Sequence, residues 1–576
     1  MGQATVAVAA RPTFAVDFLM SACFMPPTPV LHAPRFHTRL IWLLLAGLVL
    51  VLSALRAHAQ TDAKAEPPVA VARFDVFEYR IEGNTVLAVD RIERAVYPFL
   101  GEKRTVADVE AARLALETAY REAGYGTVLV DIPEQRVNVG VVVLQVVQAP
   151  VSRLRVIGAK YYSQGHILDK VPALAEGATP NFKQVSEQLA TVNRSGDRRV
   201  TPLLRPGKLP GTTEVDLSVE DQLPLHGSLE LNNKHGADTT SSRLQGSLRY
   251  DNLWQREHSL GVQVQVSPED LDEVRVISGS YSVPAGTGLW VMSAVRSESN
   301  TLVRLNGIQV VGRGKVYSLR RILVDSSESF TQSLTLGADY KDMLGIVYQI
   351  DDDGNLVKGI TCSADTLCTP IRYLPLSTIY SATVPDKHGA WQTGGGIVFA
   401  LRGLFSRQSE FADKRYLAQS NFSVLKLDLA RTQKLPRDLV LFSKLEGQVS
   451  SQPLISDEQF VAGGVDSVRG YLESTASGDR ALRASFELRS PNFLTDSKGL
   501  LADLRAHAFF EGAGLWLKSP LPKQDFRSGL LSTGFGVRLR AQKYVSVALD
   551  VGWPLRDAGT TEKGSPRLHL SGMLEF

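Results

Sequence analysis

The sequence feature that most constrains the fold is a long series of short alternating segments in the C-terminal part of the chain. Apolar and polar residues alternate in one run after another, as in Leu244–Tyr250, Leu260–Val266 and Val274–Val283. Alternation places every second side chain on the same face of a strand. A strand that crosses a membrane needs about 9–11 such residues, and its inward face can be polar. The pattern predicts sixteen strands: residues 224–234, 241–252, 258–267, 273–284, 289–297, 308–323, 329–342, 371–385, 390–402, 419–431, 437–449, 480–490, 503–513, 530–540, 544–553 and 566–576.

The connections between these predicted strands alternate in length. Connections after odd-numbered strands include the long ones: 343–370, 403–418, 450–479, 514–529 and 554–565. Connections after even-numbered strands are mostly short, with 491–500 as the exception: 285–288, 324–328, 386–389 and 541–543. Long loops on one side and short turns on the other are typical of bacterial outer-membrane barrels. We therefore expect residues 222–576 to form a 16-stranded transmembrane β-barrel.

The long connection 450–479 contains an unusual cluster, Gly463-Gly464-Val465-Asp466-Ser467-Val468-Arg469-Gly470-Tyr471. Glycines let a backbone turn sharply or lie close to another wall. An arginine offers a rigid fork of donors that suits a carboxylate. The segment is either a mobile surface loop or a loop that folds into the barrel.

Residues 74–221 differ in pattern from the barrel segment and predict an α+β region. A strand, two helices and two strands follow one another within residues 74–149, and the same order repeats within residues 150–221. Thr105 and Asp108 have the spacing of a capping box at the start of one helix. Two successive units with one pattern indicate an internal repeat.

A single continuous apolar run, Leu40–Leu55, lies near the N terminus. Arg35 and Arg39 precede it and Ala57-His58-Ala59 follows, which is the layout of a secretory signal cleaved after Ala59. This gives a leader over residues 1–59 and a linker over 60–73. A membrane anchor is the alternative, although the run is short for a span of about 20 residues.

The exported chain would keep two of the three cysteines, Cys362 and Cys368. In an oxidising compartment they are predicted to form a small disulfide. No histidine flanks the pair, so we expect no metal there. The acidic run Asp351–Asn355 lacks the spacing of a calcium loop.

Several motifs resemble two-partner secretion transporters (TpsB proteins), which combine periplasmic POTRA domains with an outer-membrane barrel. Residues 81–85 (Ile-Glu-Gly-Asn-Thr), Gly124-Tyr125 and residues 132–135 (Ile-Pro-Glu-Gln) resemble the first POTRA domain of that family. Arg205-Pro206-Gly207 and Gly211 resemble the second. The residues that carry the first resemblance are Gly83, Asn84, Gly124, Tyr125, Pro133 and Gln135.

The resemblance implies that the two POTRA domains bind an unfolded secreted partner in the periplasm. An exposed strand edge can hold an extended chain by β-augmentation. Taken singly, Gly83, Gly124 and Pro133 also fit simple turn and strand-end roles. Family members often carry a plug helix before the first POTRA domain. Residues 60–73 are too few for such a helix and a return linker, so we expect none.

The segment Val468-Arg469-Gly470-Tyr471 is similar to the VRGY motif that TpsB proteins carry in an inward-folded loop. In that family the arginine meets an acidic residue of a Phe-x-Asp-x-Gly motif on the barrel wall. The corresponding stretch here is residues 509–514, Phe-Phe-Glu-Gly-Ala-Gly. It departs from the family pattern twice, with Glu511 in place of aspartate and Ala513 in place of glycine, Gly514 standing one place later. The resemblance implies Glu511 as the partner of Arg469, with Phe509 and Gly514 beside it.

The terminal residues Leu568, Leu570, Leu574 and Phe576 alternate up to an aromatic carboxylate. This resembles the C-terminal strand that the barrel-assembly machinery recognises in outer-membrane proteins. The expected partners are therefore that machinery, outer-membrane lipid and a secreted exoprotein of the TpsA type, such as a β-helical adhesin or a haemolysin.

The main functional hypothesis is thus an outer-membrane pore that exports one exoprotein, and the alternative is an insertase for outer-membrane proteins. An enzyme is not expected, because the sequence has no nucleophile elbow, Walker motif or metal-binding helix. No cofactor is implied. The formal net charge of +3, without a strongly basic segment, gives no reason to expect nucleic acid.

Overall fold

The computed structural model describes residues 72–576 except 138, 238, 300–301, 306–307, 328, 347–367, 495–500, 523 and 543; side chains of 302–305, 308–311, 345–346 and 368 are also not described. The predicted leader, and with it the question of a plug helix, lies outside these residues. So do Cys362 and the side chain of Cys368. The chain divides into two compact units, which are described separately below.

The first unit holds most of residues 72–220 and contains two small mixed sheets with helices. In one sheet the strand order is β2-β5-β4, and in the other it is β6-β8-β7. The first two strands in each of these orders, β2 with β5 and β6 with β8, run parallel. A two-stranded sheet, β1–β3, accompanies the first. The strands are β1 Phe74–Val76, β2 Glu78–Glu82, β3 Gly101–Arg104, β4 Leu129–Asp131, β5 Val141–Val147, β6 Val151–Ile157, β7 Arg198–Pro206 and β8 Thr213–Asp221. The helices are α1 Val89–Val96, α2 Val106–Glu122, α3 Gln164–Asp169 and α4 Phe182–Val192.

The longest of these helices, α2, begins as its sequence predicts. The Thr105 side chain accepts from the backbone N–H of Asp108, and the Asp108 carboxylate accepts from the backbone N–H of Thr105. This capping box satisfies two of the free donors at the helix start. Val109, Leu116 and Tyr120 on one face of α2 are buried in the core of this unit.

The second unit is a closed antiparallel barrel of sixteen strands, which confirms the predicted fold class. The last strand pairs with the first, with Ser571 opposite Asn232 and Glu575 opposite Ser228. The wall strands are β9 Leu225–Asn232, β10 Arg243–Leu253, β11 His258–Val266, β12 Val274–Ala285, β13 Gly288–Ser299, β16 Arg313–Ser326, β17 Thr331–Ile346, β18 Cys368–Tyr373 with β19 Pro375–Asp386, β20 Gly389–Ala400, β21 Ser423–Lys434, β22 Val440–Ser450, β25 Arg480–Arg489, β26 Leu501–Trp516, β27 Arg527–Ala541, β28 Val545–Pro554 and β29 Arg567–Glu575.

Alternation along these strands sorts the side chains into two environments. On β26 the phenyl ring of Phe510 is 48% exposed on the outer face, whereas its neighbours Phe509 and Glu511 are buried on the inner face. Leu229, Leu248 and Phe535 are likewise exposed. An apolar outer face with polar groups inside is the arrangement that lipid requires of a barrel.

Four shorter strands and one helix belong to the connections. They are β14 Leu302–Leu305, β15 Ile308–Val311, β23 Phe460–Ala462, β24 Ala476–Gly478 and α5 Gln408–Lys414. Among the described residues, no helix is sufficiently long and apolar to cross a membrane.

Two strand predictions need correction. Residues 308–311 are not part of the sixth wall strand but pair with 302–305 in a separate hairpin, and Gly312 at φ +90° separates them from the wall strand. The eighth wall strand is interrupted at Leu374, because β17 pairs first with β18 and then with β19. Alternation of apolar and polar residues predicts neither the separate hairpin nor the interruption at Leu374.

Candidate functional site in the barrel lumen

The connection between β22 and β25 folds into the barrel. Its two short strands, β23 and β24, pair as a hairpin, and the segment Gly463–Tyr471 lies between them. Val468 and Tyr471 are completely buried and Arg469 is only 4% exposed. The partners of this segment lie on the inner face of the wall strands, so the inward-folded alternative describes the loop.

Arg469 is held by three carboxylates from three wall strands. Its Nη2 atom lies 2.7 Å from Glu511 on β26 and 2.8 Å from Glu487 on β25, and its Nη1 atom lies 3.1 Å from Asp550 on β28. The backbone N–H of Arg469 also donates to Glu511, at 2.8 Å. Charge-assisted bonds of this kind are stronger than neutral ones. Arg469 therefore fixes the loop to one side of the barrel.

Aromatic and polar groups complete the surroundings of this guanidinium. Its central carbon lies 3.6 Å from the centre of the Phe509 ring, which is a cation–π contact. His507 lies 3.3 Å from Nη1 and 2.6 Å from Asp550. The Ser485 hydroxyl donates to Glu511 at 3.0 Å. All partners of the charged group are thus already in place on the rigid wall.

Gly470 allows the loop backbone to lie directly on the wall. Its φ of +91° is a conformation that side chains disfavour. A Cβ added to Gly552 on β28 would lie 2.6 Å from the Gly470 nitrogen, so the two backbones touch. The Gly470 N–H donates to Nε2 of His569 on β29, at 3.0 Å. Two glycines facing each other are therefore required for this contact.

Tyr471 ties the loop through its hydroxyl to β27 and to the connection after β28. The hydroxyl oxygen lies within donating distance of two carbonyls, that of Leu531, at 3.0 Å, and that of Arg556, at 2.8 Å. Val468 and Tyr471 pack in one apolar cluster with the wall residues Ala513 and Leu515. Every member of the predicted Val468–Tyr471 motif thus contacts the wall.

A second anchor holds the end of the loop, at Asp479. This carboxylate is fully buried and accepts both Nη1 and Nη2 of Arg415, each at 2.7 Å. It also accepts the backbone N–H groups of Leu454, at 2.9 Å, and Lys518, at 2.7 Å. Asp479 therefore joins three connections: the one with α5, the inward loop and the one after β26.

Near the start of the loop, Glu458 makes a third buried contact. It lies 2.6 Å from Lys341 and accepts the Tyr373 hydroxyl at 2.9 Å. The inward loop is thus held by a buried charged residue at each of three places: Glu458 near its start, Arg469 at its tip and Asp479 at its end.

Gly514 does not take the position expected of it. It lies on the outer face of β26, and a Cβ added there would meet the Trp516 ring at 2.9 Å. Ala513, on the inner face, is the residue that packs with the loop. Gly514 therefore does not share the inner face with Glu511 and Phe509, because a shift of one residue reverses the face of a strand.

Phe576 lies where the barrel closes. Its backbone exchanges two hydrogen bonds with Gly227 of the first strand, at 3.1 and 3.0 Å. A Cβ on Gly227 would overlap the Phe576 ring, at 2.2 Å. The terminal aromatic ring thus covers a glycine of β9.

The motif residues of the first unit have mainly architectural contacts. Asn84 accepts from the N–H of Leu87 and from the Tyr120 hydroxyl, and burial raises the pKa of Tyr120 to about 12. Gly83 has φ +84° in the turn after β2. Tyr125 packs at the edge of the core. No contact of Pro133 within the described residues distinguishes it.

Gln135 has a more specific position. Its side-chain amide accepts the N–H of Val143 and donates to the carbonyl of Val143, both at 2.8 Å. It pairs with β5 beyond the point where β4 has ended. This side chain therefore closes part of one sheet edge.

Gly124 lies where the two repeats meet. Its φ is +102°, and an added Cβ would lie 2.5 Å from Oδ1 of Asn181, the N-cap residue of α4. We expect Gly124→Ala to lower the free energy of unfolding of this unit by about 2–3 kcal/mol, the sum of backbone strain and the clash.

The matched control is Gly177→Ala. Gly177 has φ +85° but no atom within 4 Å of an added Cβ. It should cost about 1 kcal/mol, from backbone strain alone. Thermal unfolding and limited proteolysis of the full-length protein measure both variants, and equal effects would contradict the packing role of Gly124.

Several residues of the lumen site are missed by sequence reasoning: Glu487, Asp550, His569, Gly552, Asp479 and Arg415. Alternation would have placed the first four on inward faces. It could not have said which of the many inward residues lie opposite the loop, since that depends on strand register and barrel closure.

The chain is similar to known outer-membrane transporters. A model of the ShlB-type POTRA domain matches residues 74–149, and a model described as haemolysin secretion/activation protein ShlB/FhaC/HecB matches residues 211–332 and 386–538. Outer membrane transporter CdiB of Dickeya dadantii is 21% identical over 528 residues, covering 88% of this chain and 87% of that protein. Heme/hemopexin transporter protein HuxB of Haemophilus influenzae is 20% identical over 408 residues, covering 69% of this chain and 68% of that protein.

The fold is also shared with a solved structure. CdiB from Escherichia coli superposes with a TM-score of 0.59 at 20% identity, covering 93% of this chain and 97% of that one. At this level of identity the similarity supports a common architecture of POTRA domains and barrel.

Proposed function

We propose a mechanism of export for this chain, which belongs to the haemolysin secretion/activation family of two-partner secretion transporters. The chain is an outer-membrane pore with its POTRA domains in the periplasm, and it translocates a secreted exoprotein across the outer membrane. The observation that carries the mechanism is the Arg469 loop, which lies in the lumen with its charge bound by Glu487, Glu511 and Asp550.

In this mechanism the loop closes the resting pore, and its tip yields when the partner enters. The three carboxylates hold the tip at one defined place on β25, β26 and β28, so a single displacement frees it. Asp479 keeps the end of the loop bound to Arg415. The tip can therefore leave the wall and return without loss of register.

Recognition of the partner is assigned to the POTRA domains. The edge strands β2, β6 and β7 each pair on one side only within their three-stranded sheets. An extended polypeptide could add to such an edge through backbone hydrogen bonds. Gly83, Asn84, Gly124, Tyr125, Pro133 and Gln135 would then maintain the sheets and their junction rather than contact the partner.

The partner itself is proposed to be a large exoprotein of the TpsA type, a β-helical adhesin or a haemolysin. Folding outside the cell would remove the free chain from the exit and so supply direction without a cofactor. Phe576, which covers Gly227 at the closing strand pair, is proposed as the residue that the barrel-assembly machinery reads.

Deletion of the gene for this chain tests the function against the insertase alternative. We expect one exoprotein to accumulate in the periplasm while other outer-membrane barrels reach normal levels. Quantitative proteomics of medium, periplasm and outer membrane measures all three pools. A general loss of barrels from the outer membrane would favour an insertase instead.

A further inference from the structure

A row of three side chains on the outside of the barrel is separate from the lumen site. Arg480 on β25 lies opposite Trp516 on β26, and Trp516 lies opposite Arg527 on β27. Residues directly opposite in antiparallel strands share one face. The next residues along, Ala481 and Leu515, are buried inside the barrel. The row therefore faces outward, toward lipid.

The row lies at the upper boundary of the apolar band. Further along the same outward faces are Leu482, Phe486, Phe510 and Phe535, all strongly exposed. β25 and β27 begin at this row and β26 ends there. The strand β9, which follows the periplasmic POTRA domains directly in the sequence, starts at the opposite rim. The row is thus at the level of the headgroups of the outer leaflet.

Positive charge is concentrated here without acidic partners. Arg527 lies 5.6 Å from the Trp516 ring, and neither Arg480 nor Arg527 has an ion pair within the described part of the chain. The Lys518 ammonium donates to the carbonyls of Ser450, at 3.4 Å, and Ser451, at 2.5 Å, and not to a carboxylate. Nη1 of Arg556 lies 3.2 Å from the position of a Cβ on Gly529 in β27. Two acids lie close along the chain: Asp479, next to Arg480, is fully buried and bound to Arg415, and Asp525 is exposed.

The same place contains a cleft of about 410 Å³, lined by Arg480, Trp516, Leu517, Lys518, Ser519 and Phe526. Below it, toward the membrane centre, the outward positions next to Trp516 and Arg527 are Gly514 and Gly529, which lie opposite each other. The Trp516 ring leans over Gly514. The Trp516 ring and the Arg556 guanidinium therefore cover these two glycines directly beneath the cationic cleft.

We propose that this cleft binds the phosphorylated headgroup of an outer-leaflet glycolipid. Arginine forks bind phosphate oxygens in a bidentate manner, and basic pockets at the membrane surface select anionic lipid headgroups. Trp516 and Phe526 suit the interface between headgroups and acyl chains. A soluble phosphate would use the arginines alone, whereas the aromatic rings are of use only to a lipid.

Native mass spectrometry of the full-length transporter in detergent tests this proposal. The probes are lipid A with two phosphates, its fully dephosphorylated form and inorganic phosphate. We expect the bisphosphorylated lipid to be retained and the dephosphorylated form to bind about tenfold more weakly, because it lacks the charge-assisted contacts. Inorganic phosphate in millimolar excess should not displace the lipid.

Two variants and one control accompany the test. R480Q/R527Q removes the two arginine charges that flank Trp516 in the row and should lose lipid about tenfold. G514L leaves every charge in place but displaces the Trp516 ring, and should also weaken retention. R256Q/K387Q removes two charges from exposed turns at the opposite rim and should bind as the wild type does.

Four results would each overturn the proposal: equal binding of the dephosphorylated lipid, displacement by inorganic phosphate, normal retention in R480Q/R527Q, or equal loss in R256Q/K387Q. Heat-modifiable migration shows whether each variant has a folded barrel. If R480Q/R527Q does not fold, the test depends on lipid retention by G514L. Retention by G514L at the wild-type level then overturns the proposal.

Discussion

Arg469→Ala should reduce export of the exoprotein to a small fraction of the wild-type level while the barrel remains folded. The change leaves Glu487, Glu511 and Asp550 close together in the lumen without the cation that they share. Loss of one partner from a buried charge cluster costs about 3–5 kcal/mol. A shift of that size changes the population of the bound loop by a factor of about 10²–10⁴. Export assays and single-channel conductance measure the result, with a higher resting conductance expected.

Glu511→Ala should impair export to a similar extent. Glu511 accepts from Nε, Nη2 and the backbone N–H of Arg469, whereas Glu487 and Asp550 each hold one side-chain nitrogen. Arg540→Ala is a suitable control, because Arg540 has no ion pair among the described residues and lines a different part of the inner wall. Normal export by Glu511→Ala, or a defect of equal size in Arg540→Ala, would show that Glu511 does not anchor the loop.

The sequence predicted the fold more completely than the site because the two depend on different information. Alternation and loop parity act within each strand and its neighbours, so they identify β10 or β27 without knowledge of the whole. These two signals failed to locate the hairpin at Ile308–Val311 and the strand break at Leu374. At both places the local composition is the same as in an uninterrupted wall strand.

The site required pairing over long distances. Glu511 could be predicted only from its resemblance to a family motif. The same motif suggested Gly514, which lies one residue away from the inward position and therefore on the opposite face of the strand. Asp550 and Glu487 belong to no motif, and they meet Arg469 only because strands β25 to β28 are neighbours in the closed wall. Asp479 and Arg415 lie in separate connections, 64 residues apart, and no periodicity relates them.

The second large effect is expected from Gly552→Val, a change that removes no charge. A Cβ at this position would lie 2.6 Å from the Gly470 nitrogen and 2.9 Å from the Arg469 carbonyl carbon, and both are backbone atoms. Since β28 is held on both sides by the barrel, the loop is the part that must move. The displacement should break the bond from Gly470 to His569 and pull the guanidinium from its carboxylates. We expect a raised resting conductance in planar bilayers and a severalfold loss of export, as for Arg469→Ala, because both changes free the same loop.

Gly572→Val on the adjacent strand β29 adds the same side chain where an added Cβ meets no atom within 4 Å. It should leave conductance and export unchanged. The pair of variants separates loss of the Arg469 charge from loss of the backbone contact, since Gly552→Val removes no charged group from the chain. If Gly552→Val keeps the low conductance of the wild type, contact between the loop backbone and the wall does not close the pore. Closure would then depend on the charge of Arg469 alone.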